Sequence, residues 1–538
     1  MAVTALAALA ACLALLSPPC DSALTPDGFN SPVDAVKAKY REQLRAVADE
    51  MARRYENLDA LMAKDVCGCS YHVCGSKFAE GQCLYIPRDG TVASLPSWFQ
   101  PFFNCGLLGP CDHHLTYMED SVVWTPSHVI TEDPDLSSDV IEDICMTKGL
   151  EETLKPLANY TGQFVFPMYF AHARSGVLRQ WPLAVQLRTN GVCRQFDPRD
   201  KQWYKVATSE PKNVVIIVET SSTMATKLFP GAAADSKSRW DVANATVRGI
   251  LETLDRISDS VNVVAFNGTA APLVGDALMP AHRKNLWPLT WALDNATLGK
   301  GSDYRQAFEV AFDLFEKTFE RANIKSSCQN IIIHIGDGID CVAGSQHACS
   351  VTGAGGQEED AGAPRDGIQS ILQAVERRQR QLEQVSSRAA IFTLTVRGGE
   401  DSLARQLACN NGGVWFRLDG RSEPLNNMAA YFQYLAFSME SHAEQANAPA
   451  IFSPLIIDFI SIRDATTVVH PVFVQAKCAN GTLSRRKVLL GVAGRVVTLR
   501  MLEEDGLKES QVKAMIDENL AEVRACNDGY KYSNCTMQ

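Results

Sequence analysis

A short polar segment directly follows an apolar run near the middle of the chain. Val214–Val218 is a continuous aliphatic stretch rich in β-branched residues, which is typical of a strand buried on both faces at the centre of a parallel sheet. Glu219, Ser221 and Thr223 come next. Ligands of open α/β sheets bind at the carboxyl ends of strands, so a carboxylate with spaced hydroxyls here predicts a cation site. The alternative is that these hydroxyls cap the next helix.

Two further segments bring oxygen ligands towards the same place. Ser302 lies in a loop just before a helical segment, and Asp337 directly follows a second buried strand, Ile331–Ile335. In a parallel sheet these loops meet at one edge, so we expect their side chains to lie near Glu219. Carboxylates and hydroxyls are hard ligands, which favours Mg²⁺ or Ca²⁺ over zinc.

The elements that would position these residues alternate between strand and helix from Asn213 to about Met439. The periodicity predicts a doubly wound α/β domain with a mostly parallel sheet. The predicted strands after Val214–Val218 are Val261–Phe266, Ile331–Ile335, Ala390–Val396 and Val414–Leu418. The predicted helices are Asp241–Ile257, Tyr304–Phe319, Ile368–Val385, Ser402–Cys409 and Leu425–Met439. The phenylalanines of the second helix recur at helical spacing, which indicates core packing.

The flanks of this domain have a different character. Before it, a strand–turn–strand pattern has its turn at Arg174–Gly176, and after it three strand-like runs follow from about Ile451. Nearer the amino terminus, a long amphipathic helix is predicted over Pro32–Lys64. Cys67–Cys111 is rich in cysteine, and its spacings favour disulfides over a zinc site in an oxidising compartment.

Composition indicates the compartment and excludes some partners. The chain has 538 residues and a formal net charge of −11, so nucleic acid is not an expected partner. Its 17 cysteines are typical of a protein from an oxidising compartment. An apolar run at the amino terminus has the length of a signal peptide, and no other stretch is long and apolar enough to span a membrane. The sequence therefore predicts a secreted protein, or one held at the extracellular face of a membrane without its own transmembrane helix. Six glycosylation sequons occur, at Asn159, Asn244, Asn267, Asn295, Asn480 and Asn534.

The oxygen ligands resemble the metal-ion-dependent adhesion site (MIDAS) of von Willebrand factor A (VWA) domains. That motif is Asp-x-Ser-x-Ser followed by a distant Thr and a distant Asp. Ser221 and Thr223 match its hydroxyls, Ser302 stands for the Thr, and Asp337 matches the last Asp. Glu219 replaces the leading Asp. Mg²⁺ requires near-octahedral oxygens at about 2.0–2.1 Å, so a longer side chain must buckle, bind through water, or favour the more tolerant Ca²⁺.

The flanks resemble Cache sensor domains, and the whole arrangement is similar to the α2δ auxiliary subunits of voltage-gated calcium channels and their VWA-and-Cache relatives. The resemblance covers about Tyr169–Leu499 and is carried by RDKQWYKVATSEPKN, GKGSDYRQAF, LACNNGGVWF and LLGVAGRVVTL. It implies a non-enzymatic protein whose cation is shared with an extracellular or membrane protein of the channel class. It also implies that Cys409 is tied to a carboxyl-terminal segment, for which Cys526 and Cys535 are candidates.

A second prediction concerns a small-molecule pocket. The resemblance to Cache domains implies that Lys201, Trp203 and Tyr204 line it. Lys201 replaces an Arg that would grip a carboxylate bidentately, and Val496 replaces an Asp that would hold an amino group, so amino acids are not the expected ligand. The alternative is that the two aromatic residues are core residues. A pocket that binds would make the chain a sensor or scavenger with a structural VWA domain.

Together these observations divide the chain into seven regions. They are a signal peptide (1–23), a long helix (31–65), a cysteine-rich insert (66–150), a first Cache-like part (151–212), a VWA domain (213–440), a second Cache-like part (450–505), and a helix with a cysteine-containing tail (506–538). No nucleophile elbow, zinc-protease motif or phosphate-binding loop occurs, so an enzyme is not expected.

Overall fold

A computed structural model describes most of the chain beyond its amino-terminal region. The described residues are 31–58, 114–117, 121–124, 138–158, 167–186, 197–229, 237–322, 329–338, 365–396, 401–418, 420, 428–444, 450–458, 463–477 and 483–523. The predicted signal peptide, the cysteine-rich segment Cys67–Cys111 and the tail with Cys526 and Cys535 lie outside them.

The helices and strands of the described residues are numbered separately in chain order. The helices are α1 (Pro32–Glu56), α2 (Ser138–Met146), α3 (Glu151–Ala158), α4 (Gln202–Thr208), α5 (Arg239–Thr253), α6 (Arg283–Asp294), α7 (Tyr304–Ala322), α8 (Arg365–Leu382), α9 (Ser402–Asn410), α10 (Ala429–Glu444), α11 (Leu499–Glu504) and α12 (Glu509–Val523). The strands are β1 (His114–Tyr117), β2 (Val122–Trp124), β3 (Met168–His172), β4 (Leu178–Trp181), β5 (Leu183–Gln186), β6 (Lys212–Glu219), β7 (Ser260–Phe266), β8 (Ala270–Pro272), β9 (Met279–Pro280), β10 (Gln329–Gly336), β11 (Ala389–Val396), β12 (Trp415–Leu418), β13 (Ile451–Phe452), β14 (Ile456–Asp458), β15 (Arg463–Lys477) and β16 (Leu483–Thr498).

The parallel-sheet domain, residues 212–444, is built on strand β6. Its strand order is β12-β11-β10-β6-β7-β8, and β6 lies parallel to both β10 and β7. The short strands β8 and β9 pair antiparallel with β7 at one edge. The predicted mixed α/β fold with a mostly parallel sheet is therefore confirmed.

Both faces of this sheet are covered, which explains the unbroken apolar run in β6. Val214, Ile216 and Val218 point into one core, which also contains side chains of α5, α6 and α10. Val215 and Ile217 point into the opposite core with side chains of α7, α8 and α9. Because successive side chains of a strand point to opposite faces, an aliphatic residue is needed at every position. Each fully buried aliphatic side chain contributes about 1.5–3 kcal/mol.

A second, antiparallel sheet is assembled from segments on both sides of the parallel-sheet domain. Its order is β13-β15-β16-β3-β4-β2, and β16 pairs with β3 through Gly491–His172 and Arg495–Met168. The parallel-sheet domain is thus inserted in the sequence between the strands β2–β4 and β13–β16 of the antiparallel sheet. The two are joined where Gln433 of α10 exchanges two hydrogen bonds with the backbone of Leu489. The resemblance of this sheet to a Cache domain stays a prediction.

Helix α1 packs against the antiparallel sheet. Ser31 accepts a hydrogen bond from the Asp34 amide, and Pro32 occupies the first helical position, so the start is well capped. The helix ends at Glu56, Asn57 is its cap residue, and Leu58 is helical again. The predicted continuation to residue 65 lies outside the described residues. Among the described helices, none combines the length and the apolar character needed to cross a membrane.

Candidate functional site

The carboxyl end of β6 brings together the predicted oxygen ligands. Ile335 of β10 lies opposite Val218 of β6, so Asp337 follows beside Glu219. The loop before α7 is held to the same edge, because the Gly299 amide donates to the Thr220 carbonyl over 2.8 Å. This edge, defined by Glu219, Ser221, Thr223, Ser302 and Asp337, is called the carboxyl-edge site.

Glu219 is the centre of the site's hydrogen bonds. Its Oε1 accepts from the hydroxyls of Ser221 (2.6 Å) and Ser302 (2.7 Å). Its Oε2 accepts from the Tyr304 hydroxyl (2.9 Å) and the Asp337 amide (2.9 Å). The side chain is fully buried. Four donors therefore hold this carboxylate in one position, as expected for a buried charge without a basic partner.

A glycine makes room for the longer acidic side chain. A Cβ atom at Gly336 would lie 2.5 Å from Oε2 of Glu219 and 3.1 Å from the Tyr304 hydroxyl. Tyr304 completes this arrangement by accepting a hydrogen bond from the Gly338 amide over 2.8 Å. Glu219 thus extends beneath the end of β10 instead of buckling, which is how the chain accommodates glutamate where the motif has aspartate.

Thr223 and Asp337 complete the site. The Thr223 hydroxyl lies 2.7 Å from the Ser221 hydroxyl. Asp337 is fully buried, and its Oδ2 accepts from Nη1 of Arg239 over 2.8 Å. Arg239 is the first residue of α5, and its amide donates to the Thr226 carbonyl. The structure therefore brings all five predicted ligands together and adds a guanidinium beside them.

The site holds two buried carboxyl groups and one guanidinium, so its fully ionised form carries an excess of negative charge. Burial, and then the neighbouring Asp337 carboxylate, raise the pKa of Glu219 to about 7. In the described part of the chain no basic side chain forms an ion pair with Glu219, whereas Arg239 pairs with Asp337. Burial also raises the pKa of Tyr304 far above its ordinary range, so its hydroxyl stays a donor to Glu219. A positive charge placed here would offset the cost of two buried carboxylates.

The donor set fits a hard divalent cation. The hydroxyls of Ser221 and Ser302 donate their hydrogens to Glu219, so their oxygen lone pairs stay available, and the Thr223 oxygen lies next to them. Within the described ranges there is no group of three or more His, Cys, Asp or Glu side chains suited to a metal. A cation at this edge would accordingly depend on hydroxyl oxygens, which suits Mg²⁺ or Ca²⁺ and disfavours zinc.

Sequence reasoning missed Arg239 and gave Tyr304 no contact in the site. The sequence contained a signal for Arg239. A basic residue in the first turn of a helix interacts unfavourably with the helix dipole, which suggests that a carboxylate lies nearby. His334, by contrast, packs in the core beneath the site. It is buried against the rings of Tyr304 (5.0 Å), Phe266 (5.8 Å) and Phe308 (5.8 Å), and burial lowers its pKa to about 3.

The residues predicted to line a small-molecule pocket lie before the opposite end of β6. Tyr204 is buried in the core of the antiparallel sheet, and Trp203 packs on the Tyr169 ring at 4.7 Å. Lys201 is half-buried and lies 2.7 Å from the Asp200 carboxylate. Tyr204 is thus a core residue and Trp203 is partly buried against the same core, while the predicted pocket stays a prediction.

The sequence analysis also gave no role to Arg199, which lies close to these residues along the chain. Arg199 is buried, binds Asp197 through several hydrogen bonds including one of 2.7 Å, and donates to the Arg174 carbonyl over 3.1 Å. Its guanidinium lies 6.0 Å from the ring of Phe432 on α10. Arg199 therefore ties the hairpin turn of the antiparallel sheet to the last helix of the parallel-sheet domain. The FDPR run was the available signal, because an arginine beside a capping aspartate suggests a local ion pair.

Cys409 lies at the carboxyl end of α9 and is disulfide-bonded. Its predicted partners, Cys526 and Cys535, lie outside the described residues. The pairing stays a prediction.

Comparisons with known proteins point to one class of relatives. The chain is 26% identical over 396 residues to the human voltage-dependent calcium channel subunit alpha-2/delta-4, covering 71% of this chain and 30% of that protein. It is 25% identical over 426 residues to the rat subunit alpha-2/delta-3, covering 77% and 34%. It is 20% identical over 399 residues to the voltage-dependent calcium channel protein unc-36 of Caenorhabditis elegans, covering 69% and 30%. The chain spans about a third of the length of these curated relatives.

No protein-family model matches the chain. Among solved structures, it is similar to a von Willebrand factor type A protein from Catenulispora acidiphila, with a TM-score of 0.30, 13% identity and coverage of 54% of this chain and 58% of that one. It is also similar to the PilB minor pilin of Streptococcus sanguinis, with a TM-score of 0.31, 11% identity and coverage of 48% and 66%. In sequence, over 71% of its length, the chain resembles the α2/δ subunits of voltage-dependent calcium channels.

Proposed function

We propose that the chain is a non-enzymatic binding protein of the extracellular space or membrane surface. It engages a channel-like membrane protein through the carboxyl-edge site, with a Mg²⁺ or Ca²⁺ ion shared between the two proteins. Glu219, Ser221, Thr223, Ser302 and Asp337 would hold the ion. The ion would supply positive charge and a coordination position for an acidic group of the partner.

One observation carries this proposal: two fully buried carboxylates face one guanidinium at an edge lined by hydroxyls. Glu219 and Asp337 are both buried, and Arg239 pairs with Asp337. Burying a carboxylate without an opposite charge is costly, so the site gains free energy from a bound cation. Hydroxyl oxygens beside the carboxylates make a divalent ion with hard-ligand preference the fitting occupant.

The partner class is supported by the relatives. The curated proteins with which this chain aligns over about seven-tenths of its length are named as subunits of voltage-dependent calcium channels. An extracellular location is supported by the apolar amino-terminal run, the cysteine usage and the sequons. The absence of catalytic motifs supports a binding role.

Calorimetry on the whole chain tests the cation. Titration with CaCl₂ or MgCl₂ after EDTA treatment should show saturable binding that Ser221→Ala and Asp337→Asn weaken at least about tenfold, since each removes a ligand. Asp303→Asn is the matched control, because Asp303 lies in the same loop but its Oδ1 caps α7 by accepting from the Gln306 amide. Saturable binding that is unchanged in Asp337→Asn, or no binding by a folded chain, would contradict the proposal.

Affinity capture from solubilised native membranes tests the partner. The tagged chain should retain a channel subunit in CaCl₂ and release it in EDTA, while Asp337→Asn retains none. If the chain retains the channel subunit equally well in EDTA, the shared cation is contradicted and the two proteins bind by direct contact.

A further inference from the structure

Helix α6 presents two tryptophans to solvent on one face. Trp287 is 67% exposed and Trp291 is 58% exposed, the highest values among the exposed large apolar side chains of the described residues. They are four residues apart on a helix, so their side chains are neighbours. Each tryptophan can bury about 150–250 Å² in a contact, and a joined apolar patch of this kind marks a site that is covered by another group.

An asparagine continues the same helical face. Asn295 caps the carboxyl end of α6, four residues beyond Trp291, and its Nδ2 donates to the Trp291 carbonyl over 2.8 Å. Helical side chains lean towards the amino terminus of their helix, so the Asn295 side chain lies over the turn that contains Trp291. Asn295-Ala296-Thr297 is a glycosylation sequon, and both Asn295 and Thr297 are exposed.

We infer that Asn295 carries an N-linked glycan whose first sugars cover Trp291 and Trp287. The apolar face of a pyranose ring presents C–H groups that pack on an indole face, while its hydroxyls stay in water. A group tethered one turn away reaches the two indoles at a high effective concentration, which a free partner would lack. The inference rests on the extracellular location proposed above.

The attachment leaves the existing hydrogen bond in place. The donor is a lipid-linked oligosaccharide, in which C1 of the first N-acetylglucosamine is bonded to a polyprenyl diphosphate. Nδ2 of Asn295 attacks C1, the bond between C1 and the diphosphate oxygen breaks, and one Nδ2 proton is lost as the diphosphate leaves. The glycosylated amide keeps one N–H, which can still donate to the Trp291 carbonyl.

The other sequons within the described residues are less suited to a glycan. A Cβ atom at Gly299 would lie 2.5 Å from Nδ2 of Asn267, so that nitrogen is pressed against the loop that leads to the carboxyl-edge site. Asn244 lies within α5, where its side chain accepts from Arg248 over 3.2 Å and the Thr246 hydroxyl of its sequon is buried. Among these three asparagines, Asn295 presents its amide on an exposed face beside apolar surface.

Glycopeptide mapping and footprinting test the inference. The full chain is secreted from a eukaryotic cell line and treated with peptide N-glycosidase in ¹⁸O water, which marks each occupied asparagine. Hydroxyl-radical oxidation of the α6 peptide is then compared between the wild-type chain and Thr297→Ala, which removes the sequon but keeps Asn295. Thr269→Ala, which removes the Asn267 sequon, is the matched control.

The expected result is occupancy of Asn295 and about two- to tenfold greater oxidation of Trp287 and Trp291 in Thr297→Ala, the ratio that corresponds to the free energy of one stacked aromatic contact. Thr269→Ala should leave their oxidation unchanged. An unoccupied Asn295 would overturn the inference, as would occupancy with equal oxidation in both proteins. Protection of the tryptophans that appears on addition of membranes, with or without the glycan, would overturn it in favour of a protein partner.

Failure here can be told apart from failure of the proposed function. Calorimetric titration with CaCl₂ on Thr297→Ala reports the carboxyl-edge site independently of the glycan. Ca²⁺ binding that is intact in this variant, together with tryptophans that are oxidised in the wild-type chain as strongly as in Thr297→Ala, would overturn the glycan inference and leave the cation site standing. A secreted chain with glycans at other asparagines but none at Asn295 would do the same.

Discussion

The two ends of strand β6 differ in how their buried charges are paired. At the amino end, Nζ of Lys212 lies 2.6 Å from Oδ2 of Asp259, and both side chains are buried. Asp259 also accepts from the amides of Lys212 (3.1 Å) and Asp255 (2.7 Å). Burial raises the pKa of Asp259 and Lys212 opposes that shift. A carboxylate and an ammonium satisfy each other here, and nothing further is required.

At the carboxyl end, two buried carboxyl groups lie beside a single guanidinium. Glu219 is held by hydroxyl and amide donors, none of which carries a charge, while Arg239 pairs with Asp337. One strand therefore has a buried ion pair at one end and, at the other, two buried carboxyl groups with one guanidinium, which pairs with Asp337. The excess negative charge is what makes the carboxyl end a candidate for binding.

Breaking the amino-end pair should have the largest effect on stability. Lys212→Met leaves the Asp259 charge buried without its partner, which should lower the free energy of unfolding by about 3–5 kcal/mol. Urea unfolding followed by circular dichroism measures it. Arg321→Met, which breaks the exposed pair with Asp276, is the control and should leave the free energy of unfolding nearly unchanged, because solvent screens that pair. Equal costs in the two variants would show that the Lys212–Asp259 pair has no structural role.

Adding one methyl group at the carboxyl end should have the next largest effect. Gly336→Ala places a Cβ 2.5 Å from Oε2 of Glu219, so the variant should lose about 1–3 kcal/mol through overpacking. Glu219→Asp shortens the side chain, and in the double variant it should recover part of that loss. A double-mutant cycle by urea unfolding measures the coupling. Independent, additive effects would contradict the close contact between these residues.

Removing the Arg239 guanidinium should increase the excess of negative charge at the carboxyl end of β6. Arg239→Gln deletes a positive charge next to Asp337, so the affinity for Ca²⁺ should rise about tenfold, equivalent to about 1.4 kcal/mol. Calorimetric titration at low ionic strength measures the change. Arg248→Gln is the matched control on the same helix, because Arg248 pairs with Asp294 at an exposed position. An affinity that falls in Arg239→Gln would mean that the arginine helps to assemble the site.

The smallest effect should come from the outermost hydroxyl. Thr223 is half-buried, and its hydroxyl lies 2.7 Å from that of Ser221. Thr223→Val removes one neutral oxygen, so the Ca²⁺ affinity should fall by about three- to tenfold, while the free energy of unfolding changes by less than about 1 kcal/mol. Thr223→Ser keeps the hydroxyl and should bind as the wild type does. A loss in Thr223→Ser equal to that in Thr223→Val would assign the effect to packing.

The local sequence was sufficient for the sheet and for the ligands that follow its strands. Fully buried parallel strands need an aliphatic residue at every position, and that demand is visible in Val214–Val218 and Ile331–Ile335. Because parallel strands end at a common edge, the meeting of Glu219 and Asp337 followed from the pairing of β6 with β10. Ser302 reaches them through the loop before α7, which is held to the same edge by the Gly299 amide.

Contacts that depend on chain reversals between elements were not predictable in this way. Arg239 reaches Asp337 because the segment after β6 folds back so that the Thr226 carbonyl receives the Arg239 amide. Helix α6 was missed because Pro288 lies inside it, and an internal proline counts against a helix when the sequence is read locally.

The insertion also sets an order of events during folding. His172 of β3 and Gly491 of β16 are neighbours in the antiparallel sheet, yet roughly 300 residues separate them, and closing so long a loop is entropically costly while the intervening chain is unfolded. Collapse of the inserted α/β unit shortens that loop, so we expect it to acquire structure first and the β3–β16 pairing to be among the last steps. A partner or cation that stabilises the inserted unit early would thereby speed maturation of the whole chain.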